Sequence, residues 1–343
     1  MTTNEKIAVY GAYGHTGRFV VSELIRRGLT PILSGRNAVK LNEISNAFPG
    51  TKVRVASIDD PASLDRAFSE TAAVINCAGP FLDTATPVIK AARRLGIHYL
   101  DIAAEQAAVL GVFDQFAGIT GDAQGVIIPA MAFFGGLGDL LATAAMDDWT
   151  AADVICIAVA LDSWRPTRGT RITGERNPGR RFFFSNNTLE RKDPPPGRIW
   201  NFPPPFGAQE VAGLSLAETI VISRHLRTPE IRAYMNLEPI KDVRNPSTPT
   251  PAAADESGRS LQIFLIEAVA RRGGIERHAV ARGRDIYAIS APIVVEAIHR
   301  VITKGARRGG VVAPGEAFDA RNFLESLCPE NLMLEFSSAV ASG

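Results

Sequence analysis

The chain has 343 residues, room for two domains, and its 46% hydrophobic and 21% charged residues are those of a water-soluble globular protein. Its formal net charge of +1 argues against bulk binding of nucleic acid, and no apolar run reaches the roughly 18 residues of a membrane span. Cys77, Cys156 and Cys328 have no Cys-x-x-Cys partner, and the five histidines form no ligand motif, so a metal-free, cytoplasmic protein is expected. With only a few residues ahead of the first strand, no signal peptide is expected.

The first element is the most telling. Residues 7–10 are β-prone and lead into Gly11-Ala12-Tyr13-Gly14-His15-Thr16-Gly17, after which 17–28 is helical in pattern. A strand, a tight turn and a helix start are the geometry that cradles a dinucleotide pyrophosphate. Gly11 permits the turn, Gly14 lets the backbone approach the phosphates, and Gly17 lets the helix pack on the strand. Tyr13, His15 and Thr16 belong to the same cofactor loop.

Strand candidates follow at 30–34, 52–56, 73–77, 98–102 and 126–129, with helical patterns at 37–47, 61–69, 84–96 and 105–117. This alternation predicts an α/β fold over residues 1–130, a Rossmann doubly wound parallel sheet with ligands at the carboxyl ends of its strands. The second strand ends Ser34-Gly35-Arg36-Asn37, without the acid that would hold the ribose hydroxyls of NAD. Arg36 suits an adenosine 2′-phosphate, with Ser34 and Asn37 adding hydrogen bonds, so NADP is the predicted cofactor.

The fourth strand ends Asn76-Cys77-Ala78-Gly79-Pro80-Phe81, small residues that allow close passage of the nicotinamide ribose, with Asn76 placed to bond it and Phe81 assigned to substrate. The fifth delivers Asp101 and Glu105 to the same edge, where both could line the crevice; Glu105 fits equally as a cap on the next helix.

Residues 131–285 read as a second, α+β domain for substrate binding or dimerisation. A helix at 137–149 precedes strands at 154–161, 181–185, 218–223, 231–237, 260–270 and 274–281, which suggest a mixed or antiparallel sheet. Arg271-Arg272-Gly273-Gly274 reads as a hairpin turn. The proline-rich stretch 194–206 is too stiff for regular structure and suits a surface lid, while 245–254 reads as a mobile connector. Residues 165–181 concentrate six arginines in what reads as a loop. Either they bind a substrate carboxylate or phosphate, Arg171 foremost, or they are a solvated face or an oligomer contact. Residues 286–343 are expected to be helical and to pack back on the first domain, with an amphipathic helix at 290–304.

A reductase needs a proton donor beside the hydride. The Tyr-x-x-x-Lys solution is absent, since Tyr99, Tyr234 and Tyr287 are followed four places on by Ala103, Glu238 and Ala291. Candidate donors are Tyr287, Asp101, Glu105 and His225; His225 suits a structural role better, and Tyr287 fits the core equally.

Taken together, the glycine loop 11–17, Ser34-Gly35-Arg36, Asn76-Cys77-Ala78-Gly79-Pro80 and Tyr99-Leu100-Asp101-Ile102-Ala103-Ala104-Glu105 resemble the saccharopine dehydrogenase-like family. The resemblance continues at 130–141, where Asp139 matches and is assigned to substrate, at Gly169-Thr170, and at 283–291. That family includes saccharopine reductases and trans-acting enoyl reductases of lipid biosynthesis. Two places depart from it: Asp83-Thr84-Ala85 stands where the family tends to carry Tyr-Gly-Glu, and Leu137 where it usually has Pro. Both lie near the expected substrate pocket, so the family's substrates do not carry over. The resemblance implies an NADPH-dependent reductase of a C=N or C=C bond in a small or medium substrate, and a homodimer is expected. The alternatives are a trans-acting enoyl reductase on a carrier-bound lipid and a non-catalytic NADP(H) sensor.

Overall fold

The computed structural model describes residues 5–118, 125–176, 181–305 and 309–340. In the first domain β1 (Lys6–Tyr10), β2 (Thr30–Gly35), β3 (Lys52–Val55), β4 (Ala73–Asn76), β5 (His98–Asp101) and β6 (Val126–Ile128) alternate with α1 (His15–Arg26), α2 (Ala38–Ala47), α3 (Pro61–Phe68), α4 (Phe81–Leu95) and α5 (Gln106–Phe116). The strands pair in parallel in the order β3-β2-β1-β4-β5-β6, so strand order reverses between β1 and β4. The register sets Tyr10 opposite both Ser34 and Asn76, and Asn76 opposite Asp101, which brings the carboxyl ends of four strands level. Local signals frame the helices. Asp60 caps α3 ahead of Pro61, and α4 stops at Gly96, whose φ of 68° is left-handed.

The rest of the chain runs through a π-helical turn (Phe133–Leu137) into α6 (Gly138–Met146), β7 (Val154–Leu161), α7 (Arg168–Arg176), β8 (Phe182–Ser185), β9 (Thr188–Arg191), β10 (Arg198–Asn201), β11 (Ala208–Gly213), α8 (Ala217–Ile222), β12 (Glu230–Asn236) and α9 (Leu237–Arg244). Then come β13 (Ile263–Arg272), β14 (Ile275–Arg284), α10 (Ser290–Lys304), β15 (Gly310–Val311), α11 (Pro314–Ala317), α12 (Ala320–Glu325) and β16 (Met333–Val340). The second sheet has the order β10-β11-β12-β7-β13-β14-β16, with β8 and β9 hung from β12; only the β12–β7 pair on this path is parallel. One apolar core runs from Val20 and Leu24 of α1 through Val294 of α10 and Leu140 of α6 to Ile157 and Ile266 of the second sheet. That shared core fixes the two domains against each other.

Several expectations for this half need correction. Residues 218–223 lie mostly in α8, not in a strand. All of α8 is buried, Glu218 and Thr219 included, and the β-branched run Ile220-Val221-Ile222 with no exposed polar face reads as a strand. The arginine-rich segment is not a loop throughout: α7 occupies 168–176, with Arg180 outside the described residues. The proline-rich stretch 194–206 contains β10, paired to β11, with Trp200 buried on the second sheet; it forms no part of the cleft wall described below. The C-terminal region is helical only in part. α10 packs on α1, while β15 becomes a seventh strand of the first sheet beside β6, and β16 closes the second sheet beside β14.

Candidate functional site

At the reversal between β1 and β4 a cleft of about 1510 Å³ opens between the carboxyl ends of the first sheet and the second domain. Its floor is the glycine loop. Gly11 has φ 85°, and a Cβ there would lie 2.8 Å from the Ala78 nitrogen; a Cβ at Gly17 would run into the Gly11 carbonyl. Gly14 starts α1 with no side-chain cap, so the first N–H groups of α1 are left for a ligand. His15 lines the cleft beside them with a buried Nε2 that has no partner, and burial pushes its pKa down, which favours the neutral imidazole. An uncapped helix start, a close-approach glycine and an orphaned buried nitrogen together fit a diphosphate.

The adenosine end is framed by Tyr13, whose ring lies so close to Gly35 that a Cβ at Gly35 would sit 2.8 Å from it. Arg36 is exposed at the cleft edge. Lys40, which sequence reading missed, lines the same edge with its ammonium 5.9 Å from the Tyr13 ring centroid. Its position four residues after Arg36, in the first turn of a helix, was the available signal. Asn37 is more local than expected, its side chain capping α2 through Lys40 N at 3.0 Å. Ser34 acts through its backbone: its carbonyl accepts from Gly11 N at 2.8 Å, while its hydroxyl is buried off the cleft.

Two residues at the strand ends turn inward instead of toward the ligand. Asn76 is fully buried, donates to Thr84 Oγ1 and Tyr99 OH, and accepts from Ala78 N at 3.0 Å; it shapes the Ala78–Gly79–Pro80 loop and does not line the cleft. Asp101 is likewise buried, accepting from Ala103 N, Ala130 N and the Tyr99 hydroxyl. Burial raises its pKa to about 6 against these hydrogen bonds. With its oxygens committed and no face on the cleft, Asp101 ties β5 to β6 and leaves the set of catalytic candidates.

Glu105 does line the cleft, but as a cap on a helix other than its own. Its carboxylate accepts from Phe81 N at 2.8 Å and Leu82 N at 3.3 Å, supplying the cap that Pro80 cannot give α4. This explains why α4 begins three residues before the predicted 84. Thr173 of α7 donates to the same carboxylate at 3.2 Å, and Arg176 pairs with Asp83 at 2.8 Å. Through these contacts α7 straddles the cleft from the second domain to the first.

Tyr287 stands on the opposite wall. Asp285, at φ 59°, turns the chain there and accepts from Tyr287 N and Ala288 N, which sets the ring. The phenolic oxygen accepts from Trp164 Nε1 at 3.1 Å and Thr167 N at 3.3 Å and lies 2.9 Å from Thr170 Oγ1. The His15 ring meets Tyr287 edge-on at 5.4 Å between centroids, joining the cofactor loop to this wall. Arg171 lines the cleft yet spends its guanidinium on the carbonyls of Thr248 (2.6 Å) and Asn245 (3.3 Å), pinning the 245–254 segment. Asp139 is buried away from the cleft, bonded to His225 Nε2 at 2.6 Å and Gly315 N at 2.7 Å; it latches α11 to α6 and touches no substrate space. Although burial works against the charged imidazole, the Asp139 carboxylate raises the pKa of His225, and like Asp139 the histidine does not line the cleft. Among the described residues no group of His, Cys, Asp and Glu could hold a metal ion, and no helix is long and apolar enough to cross a membrane.

Comparison with known proteins agrees with this geometry. Residues 7–120 match the saccharopine dehydrogenase NADP binding domain family. A probable mitochondrial saccharopine dehydrogenase-like oxidoreductase of Arabidopsis thaliana is 33% identical over 114 residues, 29% of this chain and 25% of that protein. The saccharopine dehydrogenase-like oxidoreductase of Homo sapiens is 30% identical over 117 residues, 29% of this chain and 27% of that protein. The chain spans about a quarter of the length of these curated relatives. Saccharopine dehydrogenase (L-Glu forming) of Saccharomyces cerevisiae has the same fold, with a TM-score of 0.67 at 10% identity, covering 97% of this chain and 100% of that one.

Proposed function

Since residues 7–120 match the saccharopine dehydrogenase NADP binding domain family, we propose that the chain is an NADPH-dependent reductase of a C=N or C=C bond in a small or medium substrate. The observation that carries this reading is the continuity of one cleft from Gly11 and Arg36 to Tyr287 and α7. NADPH, when bound, supplies the hydride.

The residues divide the remaining work. The α1 N-terminus and the glycine loop hold the diphosphate, while Arg36 and Lys40 take the 2′-phosphate. Ala78, Gly79 and Pro80, kept in shape by Asn76, leave room beside the nicotinamide ribose. Phe81, Phe134 and Trp164 line the substrate end and exclude water. Of the four candidate donors, Tyr287 keeps the protonating role. Its oxygen already accepts two N–H bonds, so its own proton points to Thr170, and the two hydroxyls form a short donor pair. Burial raises the Tyr287 pKa, against its hydrogen bonds to Thr170, Trp164 and Thr167, so the phenol is protonated at neutral pH. An iminium acceptor asks least of this pair, because its nitrogen is already protonated.

The test is a fluorescence titration with NADPH and NADH, followed by turnover with a panel of imines and enoyl thioesters. Strong NADPH preference with oxidation by a panel member is the expected result. Tight NADPH binding with no turnover would favour a sensor instead, and no binding of either nucleotide would overturn the reading.

A further inference from the structure

The substrate end of the cleft holds a group of cations that the proposed chemistry does not use. Arg181 sits just ahead of β8, accessible on the cleft wall, and donates to Ser215 O at 3.3 Å. Burial pulls its pKa down, which Glu218 opposes and the neighbouring Arg244 reinforces. Arg191 stacks on the next residue, with its guanidinium carbon 4.4 Å from the Phe182 ring centroid. Arg181, Arg191 and Arg244 all line the cleft.

This group is built with care. Gln106, at the start of α5, holds both backbone groups of Phe182, donating to its carbonyl at 2.8 Å and accepting from its N–H at 2.9 Å. Gln106 also donates to the Ser215 hydroxyl at 2.7 Å, which donates in turn to Thr219 at 2.7 Å. The first domain thereby fixes both the backbone beside Arg181 and the Ser215 segment that Arg181 grips. The acid that offsets Arg181 is Glu218, which is buried; its Oε1 accepts from Leu216 N at 2.8 Å and its Oε2 has no partner. Burial raises the Glu218 pKa to about 7, so its negative charge is only part-present at neutral pH. Three arginines on one cleft, with Arg181 held to Ser215 O on backbone that the first domain fixes, make this end of the cleft a site for an anion. The surroundings are apolar: Leu214 and Leu216 flank Ser215, Phe182 adjoins Arg181, and Ile240 and Val243 come from α9, all on the same cleft.

We propose that the substrate is an amphiphilic oxyanion, a carboxylate or phosphate on an apolar carbon body, anchored by Arg181 with its body against Leu214, Leu216 and Phe182. This rests on the reductase reading for the word substrate, while the binding itself can be measured apart from turnover. Glu218 is then a positioning residue whose charge competes with the bound anion for Arg181.

The experiment is calorimetric titration of the NADPH-loaded protein with octanoate, octyl phosphate, glutarate and inorganic phosphate, repeated on Arg181→Met, Arg181→Lys and Glu218→Gln. Octanoate or octyl phosphate should bind about ten-fold or more tighter than glutarate and inorganic phosphate, and the tighter of the two names the head group. Arg181→Met should weaken that ligand by about ten-fold or more, with Arg181→Lys between it and the wild type, while NADPH affinity stays within about two-fold. Glu218→Gln should tighten the anion several-fold, which a merely structural role would not do. Unchanged affinity in Arg181→Met, or no anion bound by a protein that binds NADPH, overturns the inference; equal binding of glutarate removes the apolar body from it. Failure to bind NADPH would strike the reductase reading alone, because the same titrations without nucleotide still decide the anion question.

Discussion

The two ends of the cleft are made of different material. The cofactor end is mostly backbone: glycines, a bare helix start and small residues packed so closely that an added carbon at Gly11 or Gly35 has no space. The substrate end is mostly side chain, with Tyr287, Arg181 and Phe182 held by hydrogen bonds that cross from one domain to the other or between distant strands and loops. A backbone site fixes its ligand by shape and fails when volume is added. A side-chain site fixes its ligand by charge and hydrogen bonding, and fails when a functional group is removed.

That contrast is most sharply broken at Gly11. Gly11→Ala puts a Cβ against Ala78 at a positive φ, and should cost about 100-fold or more in NADPH affinity by equilibrium fluorescence, with the fold retained by circular dichroism. Unchanged affinity would show that the loop yields and that the cofactor end is not a rigid shape. Next comes Arg36→Ala, the exception in which a side chain serves the cofactor. NADPH should weaken by about 10- to 100-fold while NADH is little changed, and equal losses for both nucleotides would refute the 2′-phosphate assignment.

At the other end, Tyr287→Phe removes one oxygen and no volume. Turnover should fall by about ten-fold or more with NADPH affinity unaltered, and a matched loss of nucleotide binding would reassign Tyr287 to holding the loops around Trp164 and Thr167. The smallest effect is on stability. Glu218 has its pKa raised by burial to about 7 from an ordinary 4.5, so the folded protein holds that proton more tightly than the unfolded chain. Stability from this group is therefore present at low pH and is lost as pH rises from about 4.5 through 7. Glu218→Gln should remove that loss, a gain on the order of 2–3 kcal/mol at pH 8 that fades by pH 4.5 in denaturant melts. A constant difference across pH would show that Glu218 titrates normally.

The cofactor end was also the more legible of the two in the sequence, for the same reason. A strand, a glycine turn and a helix are encoded within eleven consecutive residues, 7–17, so local geometry was enough. Asn76 and Asp101 were placed correctly at their strand ends, but chain order does not say whether a side chain there turns to the ligand or into the layer beneath. Asp101 turns inward because Ala130 N, twenty-nine residues away, needs an acceptor. Glu105 was expected to serve substrate or its own helix, and it caps α4 across the sheet edge. Arg181 was flagged only as one of six arginines in 165–181, with Arg171 preferred; what supports it was hidden for the same cause, since Gln106 reaches Phe182 across 76 residues and no spacing rule joins them. In 218–223 the β-branched Ile220-Val221-Ile222 favoured a strand, and with Glu218 and Thr219 buried as well, no exposed face marked α8 as a helix.

One further consequence follows from β15. Gly310 and Val311 pair beside Val126 and Ile127, and Val312 N donates to Ile127 O at 3.0 Å, so the first sheet borrows its last strand from near the far end of the chain. During synthesis the first six strands emerge long before this one, and β6 waits with its outer row of N–H and C=O groups bare. The nucleotide half of the protein is therefore completed only once β15 is made, and until then the nascent chain carries an unpaired strand edge at β6.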